Sequence, residues 1–299
     1  MKIIRKYCDT ADEASEFIRI CEMEFENKLT QTVSEIISQG NRVITLSGPT
    51  CSGKTTTAKA LVKGLEEKGL SAVVISIDDF YLDNLRANLK DGDEIDFDSV
   101  KTIDLEYLSK FTSDLLSGLP VQIPRFNFMT GIRDGYTDHI PGQNDVYIFE
   151  GIQAVYPEVT ALFGENYTGV FINVDDEIIC NGIGFAPHEI RLLRRIIRDH
   201  KFRNTTPEQT FHYWESVRRN EIESIFPNSI NSHYVINSFL SYELFVIAPI
   251  VIPLLKSLDD SSAYKGISSD LAGRLLLLDS EVYASSLVPE GSVFREFIG

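Results

Sequence analysis

Apolar positions along the chain change period several times. Phe17, Ile18, Cys21, Phe25, Leu29, Val33, Ile36 and Ile37 recur at helical spacing and Gly40 closes the run, which predicts a helical arm over residues 1–39. Short continuous apolar runs then take over. Residues 42–47, 72–77, 145–149 (after the turn Pro141-Gly142), 169–174 and 243–248 each read as a buried strand. Helical patterns lie between them. Buried strands alternating with helices predict an α/β fold, a parallel sheet with helices on both faces.

Between Asp91 and Pro141 the pattern is different. Residues 121–124 and 136–140 flank a turn-rich stretch and predict a hairpin or flap. After Ala248 helical patterning returns, with Leu271 and the run 275–278 apolar enough to dock on the body. No repeat or low-complexity linker interrupts the chain. One domain over 1–299 is expected, with a core at 40–250 and a helical tail at 251–299.

Composition narrows the setting. The 299 residues are 43% hydrophobic and 24% charged, an ordinary globular balance. A net charge of −16 argues against broad attraction to nucleic acid or an anionic membrane. Residues 244–255 are apolar but broken by Pro249 and Pro253, and fall short of the roughly 20 residues of a membrane span. The N-terminus mixes charge with apolar residues and shows no signal-peptide pattern. Cys8, Cys21, Cys51 and Cys180 have spacings of neither a zinc site nor a disulfide framework, so reduced thiols and a cytoplasmic setting are expected.

The most specific chemistry lies at Gly48-Pro49-Thr50-Cys51-Ser52-Gly53-Lys54-Thr55, a full match to GxxxxGK[ST]. A strand precedes it and a helix opens at Thr56. Glycines let backbone N–H groups turn toward phosphate oxygens, and the helix N-terminus adds partial positive charge. Lys54 is expected on the β- and γ-phosphates of ATP and Thr55 on Mg²⁺. Thr56 extends the nucleotide site.

Acids come after two other strands. Asp78 and Asp79 lie past the run 72–77, where a carboxylate can take a proton from a substrate hydroxyl, hold Mg²⁺, or cap a helix. Asp78 is the preferred base. Glu150 ends the run 145–149, the usual place for a second Mg²⁺ contact. In parallel sheets ligands collect at such strand ends.

Charge is uneven. Residues 78–98 hold eight acids and two bases, whereas 191–219 hold eight bases and three acids. Arg191, Arg194, Arg195 and Arg198 share one helix face. That face would bind phosphate oxygens or pair with acids elsewhere. The five histidines show no metal spacing, Trp214 reads as core, and GxSxG is absent.

Together these residues resemble the uridine kinase and phosphoribulokinase family of P-loop kinases. The shared features, in order, are the phosphate loop, Asp78-Asp79-Phe80-Tyr81, Asp96-Phe97-Asp98, Pro124-Arg125-Phe126-Asn127-Phe128, Phe149-Glu150-Gly151-Ile152 and Arg191-Leu192-Leu193-Arg194-Arg195. A narrower likeness is to bacterial uridine kinase-like nucleoside kinases, through residues 214–221, 225–227 and the tail Arg295-Glu296-Phe297-Ile298-Gly299. The broad likeness spans about residues 40–250.

The resemblance implies a P-loop NTPase-type sheet with a hairpin insertion and an arginine-bearing lid helix. It implies transfer of phosphate from MgATP to the ribose 5′-hydroxyl of a small-molecule acceptor, a nucleoside. Asp78 would be the base, with Lys54, Arg191 and Arg194 acting on the transferred phosphate. Asp79, Tyr81, Phe97, Asp98, Phe126 and Arg133 would form the acceptor pocket. Thr55, Asp78 and Glu150 would serve the metal. In uridine kinases a Tyr and a His on the hairpin read the pyrimidine edge; here Phe126 and Gly131 stand there and can form no such side-chain bond. A different nucleoside, a sugar phosphate, a pantothenate-like acceptor, or an ATP-binding regulator without small-molecule activity stay open, as does a homo-oligomer.

Overall fold

The first apolar residues form a strand. In a computed structural model, which describes residues 1–4, 8–85, 96–278 and 280–299, β1 (Lys2–Ile4) precedes the long helix α1 (Ala11–Ser38). The Thr10 hydroxyl accepts from the Glu13 amide and caps α1. The arm expected over residues 1–39 is therefore strand plus helix. Nor does it stand apart, because Phe17, Ile18, Cys21, Leu29, Val33 and Ile36 are buried.

The chain continues through β2 (Val43–Ser47), α2 (Lys54–Glu66), β3 (Ser71–Ser76), α3 (Leu105–Leu116), β4 (Val121–Asn127), β5 (Ile132–His139) and β6 (Asp145–Glu150). Then come α4 (Pro157–Thr160), β7 (Tyr167–Asn173), β8 (Ile178–Cys180), β9 (Ile183–Phe185), α5 (Pro187–Arg203), α6 (Pro207–Asn220) and α7 (Phe226–Asn228). β10 (Tyr234–Asn237), α8 (Glu243–Lys256), α9 (Lys265–Leu276) and α10 (Arg295–Ile298) complete it.

The central sheet has five parallel strands in the order β10-β7-β2-β6-β3. Its middle strand, β2, is buried throughout. Leu29, Val33 and Ile36 of α1 and Leu61 and Leu65 of α2 pack with Ile44, Leu46 and Ile148. Leu108 and Phe111 of α3 pack with Phe80, Tyr147 and Phe149 in a separate cluster. A third cluster joins α5, α8, α9, the first half of α1 and the C-terminal segment. The register aligns the ends of three strands: Leu46 and Ser76 both lie opposite Glu150. The segments leaving β2 and β3 are thereby delivered to the end of β6.

Two small sheets flank this body. β4 and β5 form the antiparallel hairpin, with a register irregularity between Arg125 and Phe126. β1 pairs parallel to β8, which pairs antiparallel to β9.

The strand expected at 243–248 is a helix. Glu243, Leu244, Phe245, Val246, Ile247 and Ala248 are buried on all sides at the start of α8, and a continuously apolar run carries no period to separate helix from strand. Pro249 and Pro253 lie within that helix. The edge strand is instead the four-residue β10. In the tail, Leu271, Leu275 and Leu278 are buried while Leu276 and Leu277 are exposed, an ordinary helical division of the leucine run. No helix among the described residues is long and apolar enough to cross a membrane.

Candidate active site

The phosphate loop, residues 48–55, runs from the end of β2 to the start of α2. Two of its glycines are dictated by space and conformation. A Cβ on Gly48 would sit 2.1 Å from the Ile172 carbonyl oxygen, and Gly53 has φ +94°. The backbone amides of Cys51, Ser52, Gly53, Lys54, Thr55 and Thr56 find no acceptor among the described residues. Unpaired N–H groups at a helix N-terminus form an anion cradle. The Lys54 ammonium donates to the carbonyls of Gly48 (2.8 Å) and Pro49 (3.3 Å), inside the same loop. The buried Ser52 hydroxyl has no partner among the described residues.

Asp78 lies two residues beyond β3, and Glu150 ends β6. Burial pushes both carboxyls above their usual range and the Lys54 charge pulls each back, while Asp79 raises Asp78 and Asp78 raises Glu150. Asp98 is also raised by burial, against Asn220, which donates to it at 3.3 Å. Several buried acids thus share one lysine. That excess of negative charge around Lys54 suits a hard divalent cation, and Thr55 and Glu150 line one cavity of about 440 Å³ together with Lys59, Lys63 and Glu66. Among the described residues no three His, Cys, Asp or Glu side chains form a ready-made cage. Mg²⁺ commonly takes only one or two carboxylates and completes its shell with phosphate oxygens and water.

Beside Asp78 lies an aromatic box. Tyr81 donates to Asp78 (3.2 Å) and to the Phe97 carbonyl (2.9 Å). Its ring meets Phe97, Phe126 and Phe128 edge to face, at centroid distances of 5.2, 5.5 and 6.0 Å. Asp79 points elsewhere: its carboxylate accepts from the Phe126 amide at 2.8 Å and so ties β4 to the end of β3. Arg133 is also engaged away from Asp78, bonding Asp104 at 2.8 Å and lying over the Tyr107 ring. Gly131 has φ +73° in the hairpin turn with open space where a side chain would be. Two further residues shape the site, Gln153 without a sequence signal of its own and Asn220 within the stretch 214–221 that carries the narrower likeness. Gln153 holds the Phe97 carbonyl at 2.6 Å and Asn220 bonds Asp96 at 2.7 Å. For Gln153 only its neighbours, Phe149-Glu150-Gly151-Ile152, carry one. Of the acid-rich stretch, Asp91, Asp93 and Glu94, with Arg86 and Lys90, lie outside the described residues.

The arginine face of α5 holds anions of the chain itself. Arg191 pairs with Glu221, which also takes Arg218, and Arg194 pairs with Glu243. Arg195 and Arg198 share Asp199. Arg191 and Arg194 are buried, with side-chain exposures of 1% and 0%. Both reach the loop: Arg194 donates to the Cys51 carbonyl at 3.0 Å and Arg191 to that of Thr50 at 3.4 Å. Trp214 is buried beside Arg191 and Arg195, and all four cysteines are buried free thiols.

Residues 43–243 match the family described as "Phosphoribulokinase / Uridine kinase family". A uridine kinase of Ureaplasma parvum serovar 3 is 29% identical over 175 residues, 58% of this chain and 77% of that one. A uridine kinase of Deinococcus deserti is 27% identical over 62% of this chain and 82% of its own length. A solved structure described as a possible uridine kinase from Bacillus stearothermophilus is 20% identical with a TM-score of 0.47, covering 71% of this chain and 97% of that one.

Proposed function

The chain belongs to the phosphoribulokinase/uridine kinase family, and we propose that it is a MgATP-dependent kinase acting on a hydroxyl of a nucleoside, the ribose 5′-hydroxyl. The observation that carries this reading is the shared strand-end register, with Lys54 beyond β2, Asp78 beyond β3, and Glu150 opposite both strand ends. One cleft then has a phosphate cradle, a base and a metal contact.

In this reading the loop amides and Lys54 bind the triphosphate, and Thr55 and Glu150 would hold Mg²⁺, which would supply charge to offset that of the phosphate oxygens. The acceptor oxygen forms its bond to the γ-phosphorus as the bond to the β,γ-bridging oxygen breaks, and ADP leaves. The hydroxyl proton passes to the Asp78 carboxylate. Tyr81 orients that carboxylate, and the aromatic box takes the flat base. Arg191 and Arg194 enter as supports of the loop backbone, since their charges are matched by Glu221 and Glu243.

The same pairing favours an uncharged acceptor over a sugar phosphate. A phosphorylated acceptor needs a free cation, and the two arginines of the α5 face that reach the loop, Arg191 and Arg194, are each held by a buried carboxylate. The test is ADP release from MgATP over a panel of nucleosides, sugar phosphates and pantothenate, with Lys54→Ala as the blank. Stimulation by a nucleoside, absent in the blank, is expected. Stimulation only by a sugar phosphate or pantothenate, or none at all, would overturn the proposal.

A further inference from the structure

After α9 the chain returns to the phosphate loop. Val293 packs on it so closely that a Cβ on Gly53 would lie 2.7 Å from the Val293 side chain. Three residues on, the Glu296 carboxylate accepts from the Thr56 hydroxyl at 3.1 Å. Thr56 carries the last of the unpaired loop amides. Between this segment, α1 and the first turns of α2 lies a cavity of about 710 Å³. It begins at Thr55 and Thr56; Phe25 and Leu29 give it an apolar wall, and charged side chains of both signs, among them Lys59, Lys63, Glu290 and Glu296, edge it.

We propose that this cavity receives the nucleoside half of the phosphoryl donor, with Glu296 accepting hydrogen bonds from the ribose hydroxyls. The inference rests on the kinase reading for the presence of a donor. A triphosphate held by the loop amides ends at Thr56, so the attached ribose must lie beside that residue. The cavity is the space that opens there, and its volume is within the range of small-ligand pockets, about 300–1,000 Å³. A carboxylate at the rim of an anion cradle repels phosphate but suits hydroxyl donors, as acidic residues in dinucleotide sites bind ribose. One Glu296 oxygen takes the Thr56 hydroxyl, and the other has no partner among the described residues. Phe25 and Leu29 offer apolar surface for a base.

The experiment is calorimetric titration of the intact chain in Mg²⁺, without acceptor, using ATP, 2′,3′-dideoxy-ATP and inorganic tripolyphosphate. The wild type is expected to bind ATP about tenfold or more tightly than the dideoxy form, the effect of losing hydrogen bonds to a charged group. Glu296→Gln should bring that ratio toward one and leave tripolyphosphate binding unchanged. Gly291→Leu projects into open space, with nothing within 4 Å of its Cβ, and lines the same cavity. It should weaken ATP about tenfold or more and spare tripolyphosphate. An unchanged ATP-to-dideoxy ratio in Glu296→Gln, or wild-type ATP affinity in Gly291→Leu, overturns the inference and leaves the kinase reading standing. Tighter ATP binding in Glu296→Gln overturns it too, marking the segment as a competitor of the nucleotide. A wild type that binds neither ATP nor tripolyphosphate overturns both.

Discussion

Arg194 offers the sharpest test of how the loop is held. Its guanidinium donates to Glu243 at 2.6 and 2.7 Å, to the Cys51 carbonyl at 3.0 Å, and to the Ser238 hydroxyl and carbonyl at 3.1 and 3.0 Å. Both charged side chains have 0% exposure. Arg194→Met leaves the Glu243 carboxylate buried without a counter-charge. Breaking such a pair from one side costs about 3–5 kcal/mol, against a total stability of about 5–15 kcal/mol for a typical protein. Glu243→Met should cost less, because the guanidinium keeps its bonds to Cys51 and Ser238. The double variant Arg194→Met/Glu243→Met should regain most of the loss, since an apolar pair of similar volume replaces a buried ion pair at little net cost. Urea denaturation of all four proteins closes the double-mutant cycle. ATP affinity should stay low in the double variant even where stability returns, because the Cys51 carbonyl has lost its donor. Single substitutions costing under about 1 kcal/mol, or effects that simply add, would refute the argument.

Asp78→Asn should lower turnover by about 10²–10⁴-fold, measured by ADP release with the best acceptor. Its melting temperature should not fall: burial raises the folded pKa of Asp78 above the ordinary 3.8, so the stabilisation from binding a proton is complete below 3.8 and lost as pH rises through the folded value. Asn relieves that cost at neutral pH. In the wild type, kcat/KM should fall on the acid side at a pH above 3.8, the direction in which a raised base pKa moves the limb. Gly48→Ala should abolish ATP binding in calorimetry and lower the melting temperature, because its Cβ would meet the Ile172 carbonyl at 2.1 Å.

The features legible in the sequence are local ones. The phosphate loop announces itself because its glycines, lysine and threonine act through spacing within one turn of chain. The strands β2, β3, β6 and β7 are readable as unbroken apolar runs for the same reason. The run at 243–248 misleads because a helix buried on every side looks like a buried strand. β10 escapes notice because four residues at a sheet edge, Tyr234–Asn237, carry too little apolar signal. The arginine face is visible at helical spacing, but its partners are not: Glu221 and Glu243 are 30 and 49 residues further on, with no pattern linking them to α5. Motif alone groups Asp79 and Arg133 with the acceptor, and only the hairpin's geometry reveals that they bond the Phe126 amide and Asp104. The tail motif Arg295-Glu296-Phe297-Ile298-Gly299 is visible in the sequence, but nothing local shows that Glu296 and Val293 pack on the loop.

That packing also bears on when the loop takes shape during folding. Strand, loop and helix from Val43 to Glu66 are contiguous and can form early, as local contacts do. Thr56 and Glu296 are 240 residues apart, so this contact closes a very long loop. The central sheet is therefore expected to assemble before the loop is clamped, with the Val293 and Glu296 contacts absent from the folding transition state. Weakening them would speed unfolding more than it slows folding.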